Sequence, residues 1–188
     1  MTQDDTFQQV VRALRSLGVT YALTGSIASN YWGDPRFTHD ADILLACSGV
    51  SPERFAAAFP KEYYVSVEAL RDAMRLHSTA NVIDGRAGFK VDLWFVAPGG
   101  FSWRALERRR TIRTPEGEVD ILTPEDLILS KLLWHKKTGT EQQLRDVLGV
   151  MVAQWPALDR PYLERTAEEL GVLDLLRPLL AQAESDLA

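Results

Sequence analysis

The sequence predicts an α/β (α+β) domain followed by a helical C-terminal segment. Three observations predict it. Several short stretches alternate apolar and polar residues with the two-residue period of a half-buried strand, most clearly over 40–46 and 89–96. Among them lie stretches with helical apolar spacing, two opened by a capping hydroxyl and a proline. After Thr123 no strand pattern recurs, and the chain reads as helical to its end, with breaks near Gly139, at Trp155-Pro156-Ala157 and at Gly171. The expected division is an α/β domain over 1–118 and a helical segment over 119–188.

Thr6 is placed to cap a first helix over 6–17, with Phe7, Val10, Val11, Leu14 and Leu17 on one face and Gly18 as its stop. Tyr21-Ala22-Leu23 is a short strand that runs into a Gly25-Ser26 turn. Residues 26–32 form a helix closed by Gly33-Asp34-Pro35. The strand over 40–46 sets Asp40, Asp42 and Leu44 on one face and Ala41, Ile43 and Leu45 on the other. Ser51-Pro52 opens a helix that ends near Phe59-Pro60. Residues 63–67 are strand-like and 68–76 helix-like. A hairpin joins 79–83 to 89–96, with Phe89, Val91, Leu93 and Phe95 facing one way and Lys90, Asp92 and Trp94 the other. A helix over 102–109 and a hairpin through Pro115-Glu116-Gly117 complete the first part. Thr123-Pro124 opens the helical segment.

A chain of 188 residues, 46% hydrophobic and 25% charged, has the composition of a globular protein with one good core. No apolar run approaches the roughly 20 residues that span a bilayer, and the acidic start does not resemble a signal sequence. The single Cys47 fits a reducing compartment, and it lies in an apolar run that reads as core. A cytoplasmic protein without membrane contact is the expectation. The net charge of −5 argues against broad, non-specific nucleic-acid binding. Arg108-Arg109-Arg110 with Arg113, and Lys131 with Lys136 and Lys137, read as solvated surface clusters. His39, His77 and His135 have no spacing that builds a zinc site, and His39 is expected to face away from the neighbouring aspartates.

The chemistry concentrates in three places. Asp40 and Asp42, two apart on a strand, leave one face about 7 Å apart. Asp92, on a neighbouring strand, adds a third carboxylate from the side. Such a cluster without cations repels itself, which points to an ion site, with a solvent-exposed polar strand end as the alternative for Asp40 and Asp42. Hard divalent cations take oxygen ligands of this kind. Gly25-Ser26 lies where a strand turns into a helix: glycine permits the turn and close backbone approach, and the helix start offers N–H groups to a phosphate. Arg36, just before the aspartates, is a candidate for a charge-assisted bond to a triphosphate oxygen, with an ion pair to Asp34 or Asp40 as the alternative.

In Leu23-Thr24-Gly25-Ser26, in Thr38-His39-Asp40-Ala41-Asp42-Ile43 and in Lys90-Val91-Asp92-Leu93-Trp94, the chain resembles the DNA polymerase beta-like nucleotidyltransferase superfamily. The helical stretches Thr123-Pro124-Glu125-Asp126-Leu127-Ile128-Leu129-Ser130-Lys131-Leu132 and Leu144-Arg145-Asp146-Val147 resemble those of its minimal bacterial members, near the abortive-infection toxin nucleotidyltransferases. The resemblance covers roughly residues 20–150. It implies a small mixed sheet flanked by helices, with a helical segment that completes the cleft. It implies that Gly25 and Ser26 hold a nucleoside triphosphate. It further implies that Asp40, Asp42 and Asp92 bind Mg²⁺, two ions in all, with Asp92 helping to activate an acceptor hydroxyl. Lys131 would touch phosphate and Asp146 would organise the helical motif. The implied reaction moves a nucleoside monophosphate from an NTP to a tRNA end, a protein side chain or a small molecule. A cognate antitoxin is an implied partner. The rival expectation is a nucleotide- or partner-binding module that has kept the fold without turnover.

Overall fold

A computed structural model describes residues 3–38, 40–86, 88–115 and 117–187. His39 lies outside the described residues, and with it the orientation expected for its side chain. In chain order the elements are α1 (Gln3–Ser16), β1 (Thr20–Thr24), α2 (Gly25–Trp32), β2 (Asp40–Ala46), α3 (Pro52–Ala57), β3 (Tyr63–Val65), α4 (Val67–Leu76), β4 (Thr79–Asp84) and β5 (Phe89–Phe95). They continue with α5 (Phe101–Glu107), β6 (Arg110–Thr114), β7 (Gly117–Ile121), α6 (Pro124–Thr138), α7 (Glu141–Gln154), a short 3₁₀ turn (Trp155–Ala157), α8 (Arg160–Leu170) and α9 (Leu173–Asp186). The chain divides into two compact units. One comprises Met1–Ser26 and Thr38–Ile121, the other Ile27–Phe37 and Leu122–Ala188.

The first unit is built on a mixed seven-stranded sheet in the order β3-β4-β5-β2-β1-β7-β6. β2 runs parallel to β5 and β1 parallel to β7, while the remaining neighbours are antiparallel. The two-residue alternation decides which face is covered. Ala41, Ile43, Leu45, Val91 and Leu93 are fully buried, as are Val10 and Leu14 of α1, which packs on β1 and β5. Asp40, Asp42, Lys90, Asp92 and Trp94 alternate with these buried residues and are only half-buried. Every residue of the apolar row is thus taken up by the core, and the opposite face of β2 and β5 carries the polar side chains, with Leu44 its buried apolar member.

Local chemistry explains the helix limits. Ser51, Ser66 and Thr123 accept hydrogen bonds from the backbone N–H three residues on, at the starts of α3, α4 and α6. The Ser66 cap corrects one expectation: Val65 ends the strand and Val67 opens a helix, so the strand is shorter than the apolar run suggested. Thr6 corrects another. It is no cap but a buried residue within α1, and its hydroxyl donates to Asp84 Oδ2 at 2.8 Å. Cys47 lies just past β2 and is half-buried instead of sealed in the core.

Asp84 ties the first unit together. It is fully buried at the end of β4. Beyond Thr6, it accepts from the Arg86 backbone N–H at 2.9 Å and from the Arg86 guanidinium at 3.1 and 3.3 Å. The same guanidinium lies over the Tyr63 ring, 5.5 Å from its centre. One carboxylate therefore joins α1, β3 and the β4–β5 turn.

In the second unit α6 packs on α7 and α8, and α9 packs on α7 and α8. The segment 27–37 belongs to this unit. Trp32 Nε1 donates to the Leu122 carbonyl at 2.8 Å, and Gln154 Nε2 donates to the Trp32 carbonyl at 2.9 Å. Gly33 follows with no room for a side chain: a Cβ there would lie 2.8 Å from the Val150 backbone nitrogen on α7. Gly149 faces the same loop, and its Cβ would lie 3.2 Å from Asp34 Oδ2.

The Asp84 cluster yields a pH prediction. Burial alone raises the Asp84 carboxyl, but the bonds from Arg86 and Thr6 outweigh it and hold the group well below the usual carboxylate range. A carboxyl depressed in the folded state stabilises above its unfolded value of about 3.9 and loses that contribution as pH falls. Asp84→Asn is expected to cost about 1–3 kcal/mol at pH 7 in a urea titration. The gap between variant and wild type should narrow as the pH drops below about 4.

Candidate active site

Strand register assembles the first part of the site. On β2 and β5, Asp42 lies opposite Asp92 and Asp40 opposite Lys90. β1 brings Thr24 opposite Asp42, and β4 brings Asn81 opposite Asp92. Neighbouring strands lie about 4.8 Å apart, and paired residues share a face. Thr24, Asp42, Asp92 and Asn81 therefore form one polar row across four strands. Asp40 and Lys90 form the next row of the same face.

Each carboxylate in this cluster has defined partners. Asp92 accepts from Asn81 Nδ2 at 2.6 Å through Oδ1 and from Lys90 Nζ at 2.7 Å through Oδ2. Asp42 Oδ1 accepts from the Trp94 indole at 3.0 Å. Asp40 Oδ1 accepts from the Thr38 hydroxyl at 3.0 Å. The hydrogen bond to Asp92 raises the Lys90 ammonium above its ordinary value against the cost of desolvation, and the negative charges of Asp92, Asp40 and Asp42 add to the rise. Lys90 thus senses all three carboxylates.

Gly25 opens α2 with φ at +59°. A Cβ at this position would lie 2.1 Å from Asp42 Oδ2 and 2.8 Å from Asp42 Cβ. The glycine serves a positive φ and a close approach at once, and the group it approaches is the candidate ligand Asp42. Ser26 follows as the second residue of α2. The structure therefore brings Gly25, Asp40, Asp42 and Asp92 together in one unit, with Ser26 next in the chain.

These residues suit a hard divalent cation in kind. The donors are carboxylate oxygens on adjacent strands, and the cluster already accommodates one positive charge, the Lys90 ammonium at 2.7 Å from Asp92. Among the described residues, no three His, Cys, Asp or Glu side chains converge as a ready-made ligand set.

The remaining candidates meet in the second unit. Arg36 Nε and one terminal nitrogen donate to the two oxygens of Asp146, each at 3.1 Å. This bidentate pair replaces the pairing with Asp34 or Asp40 considered from sequence. Lys131 Nζ donates to Asp146 at 2.7 Å and to Gln143 at 3.2 Å, and Gln142 donates to Asp146 at 2.7 Å. Asp146 and Lys131 side chains are each 5% exposed and Arg36 34%. Lys131 is consequently buried, not part of a solvated basic cluster with Lys136 and Lys137. Burial alone raises the Asp146 carboxyl, but the bonds from Arg36 and Lys131 prevail and lower it to about 2. Asn30 holds the Arg36 backbone from both sides, accepting from its N–H at 3.0 Å and donating to its carbonyl at 2.7 Å. A pocket of about 150 Å³ lies beside this network, lined by Ser29, Asp34, Pro35, Arg36, Gln142, Arg145, Asp146 and Gly149.

Contributors not read from sequence include Asn30, Asn81, Thr38, Gln142, Gln143 and the bond from Lys90 to Asp92. Asn81 was within reach of a register count, because pairing Asp84 with Phe89 across the turn sets Asn81 opposite Asp92. Lys90 shares a strand face with Asp92 at a spacing of two. Asn30 gave no signal, since its partner is backbone.

The fold is shared with solved structures over nearly the whole chain. An antigenic nucleotidyltransferase-like protein from Paracoccidioides brasiliensis aligns with a TM-score of 0.58 at 21% identity, covering 94% of this chain and 90% of that one. The antibiotic-resistance factor ANT(2'')-Ia aligns at 0.49 and 12% identity, over 96% of this chain and 94% of its own. JHP933 from Helicobacter pylori aligns at 0.46 and 16%, over 98% and 93%. No family model matches the sequence, and no curated protein matches it. The fold is nucleotidyltransferase-like.

Two outcomes follow from the geometry. Gly25→Ala should destabilise the chain by about 1–2 kcal/mol through its positive φ alone. It should also displace Asp42, read as a shift of the Trp94 indole N–H resonance. In the second unit, Asp146→Ala leaves the buried Lys131 ammonium without its counter-charge and should cost about 3–5 kcal/mol in urea titration. Replacing the three together, Lys131→Met and Arg36→Met with Asp146→Leu, should recover much of that loss. Stability from Asp146 should be intact above about pH 4 and lost between there and pH 2.

Proposed function

We propose that the chain is a Mg²⁺-dependent nucleotidyltransferase that moves a nucleoside monophosphate from an NTP to a hydroxyl and releases pyrophosphate. The observation that carries this reading is the register of β2 and β5. It sets Asp42 beside Asp92 with Asp40 one row away, on a sheet face against which Gly25 is pressed. The nucleotidyltransferase-like fold supports it.

In this reading Asp40, Asp42 and Asp92 hold the metal. Bound Mg²⁺ supplies neutralisation of phosphate charge and a lowered pKa for the acceptor hydroxyl. The backbone N–H groups at the start of α2, with the Ser26 hydroxyl, bind the triphosphate and orient it for in-line displacement. Asp92 receives or positions the proton of the attacking hydroxyl. Trp94 fixes the Asp42 carboxylate through its indole N–H. Arg36 and Lys131 both hold the Asp146 carboxylate, which orders the helical motif of the second unit.

A second reading is a binding module of the same fold without turnover. The observation that favours it is the full engagement of Asp92, with one oxygen on Asn81 and the other on Lys90.

Incubation with each labelled NTP, Mg²⁺ and a cell extract distinguishes the two. The enzyme reading expects pyrophosphate release and label on one fraction of the extract, whether tRNA, protein or small molecule. Asp42→Asn should abolish both while the fold survives, since a lost metal ligand costs several kcal/mol of transition-state stabilisation. Asp92→Asn should retain NTP binding and lose on the order of a hundredfold or more in turnover. A toxin role with a cognate antitoxin further expects growth arrest on expression of the wild type and none with Asp42→Asn. NTP binding without release or labelling would instead favour the module.

A further inference from the structure

Lys90 is the internal counter-charge of the carboxylate face. Its ammonium donates to Asp92 Oδ2 at 2.7 Å, and it shares its strand face with Asp92 while pairing in register with Asp40. Its side chain is 41% exposed, so the stem is not locked by packing. Lysine is a compact point charge on a flexible four-carbon stem with rotatable donors, and it makes no bidentate clamp. An ammonium so held can leave for water. Asp92 would keep its second partner, Asn81, whose amide donates to the other oxygen at 2.6 Å. The carboxylate would therefore stay oriented when Lys90 departs.

A divalent ion coordinated by Asp92 through Oδ2 cannot share that oxygen with an ammonium at 2.7 Å, because the two positive charges repel and compete for the same lone pairs. We infer that Lys90 is a tethered cation that neutralises the Asp40, Asp42 and Asp92 face while no divalent ion is bound and swings off Asp92 when one binds, so that it lowers the site's affinity for the ion. The inference rests on the metal-dependent reading above and deepens it: the chain carries its own competitor for the metal. The same bond reconciles an engaged Asp92 with a metal-binding role.

The test uses the full chain with Mn²⁺ as the probe. Free Mn²⁺ is counted by electron paramagnetic resonance, and melting is followed in EDTA and in Mn²⁺. Lys90→Gln is expected to bind Mn²⁺ on the order of ten times more tightly than wild type. It should also melt lower in EDTA and gain more on adding the ion. Lys90→Arg, which keeps the charge and can clamp Asp92 bidentately, should bind Mn²⁺ no more tightly than wild type. A second readout needs no substitution: acetylation of Lys90 in the wild-type chain, measured by mass spectrometry, should rise when Mn²⁺ is added, while that of Lys61 stays constant. Equal or weaker Mn²⁺ binding by Lys90→Gln, or acetylation of Lys90 indifferent to the ion, overturns the inference and leaves the metal reading standing. Absence of Mn²⁺ binding by both wild type and Lys90→Gln overturns the metal reading and the inference with it.

Discussion

The candidate site depends on one pairing, the parallel ladder between β2 and β5. Its apolar half fixes the register: a slip by one residue would turn Ala41, Ile43, Val91 and Leu93 out of the core and drive aspartates in. Hydrophobic burial on one side of the sheet thereby dictates electrostatics on the other. The cost of placing Asp42 beside Asp92 is met by the core beneath them and offset by Lys90, Asn81 and Trp94 above. Like charges so placed are unfavourable in isolation, and a fold retains them only where the rest of the structure over-determines their position.

The second unit solves a related problem differently. There the carboxylate is buried, and Arg36, Lys131 and Gln142 surround it. Two cations share one anion there, with Asp146 and Lys131 nearly dry and Arg36 partly in water, and removing the carboxylate strands the buried ammonium. On the sheet face the compensating lysine is half in water and the arrangement can change. The contrast separates a network suited to holding shape from one suited to exchanging partners.

Much of this was legible in the sequence, for stated reasons. β2 and β5 announce themselves because each has one fully buried face; alternation is clean over all seven residues of β5 and over the first four of β2. The shared face of Asp40, Asp42 and Asp92, and the turn at Gly25, followed from the same alternation and from the small-residue junction, while Asp92 lies at the middle of β5 and not at a strand edge. Pairing partners were less legible. The Arg36–Asp146 pair spans 110 residues, and no local pattern encodes which of several nearby acids an arginine will meet. Thr6 shows the same limit: a hydroxyl near a helix start reads as a cap, yet a buried Asp84 on a distant hairpin competes for it and wins. The reason offered for Gly25 also changes. Sequence suggested room for a ligand, whereas the structure shows Asp42 filling the space a side chain would need.

Gly33 and Gly149 carry a consequence for how this chain can vary. The loop and α7 meet there backbone to backbone, with a Cβ on Gly33 falling 2.8 Å from the Val150 nitrogen and one on Gly149 falling 3.2 Å from Asp34. Gly33 is three residues from Arg36, and Gly149 is three from Asp146. Even a methyl group at Gly33 acts as a wedge between the strap that bears the guanidinium and the helix that bears its carboxylate. The two most inert side chains of the unit therefore set the spacing of its most charged contact, and drift at either one would loosen an ion pair without altering a single charge.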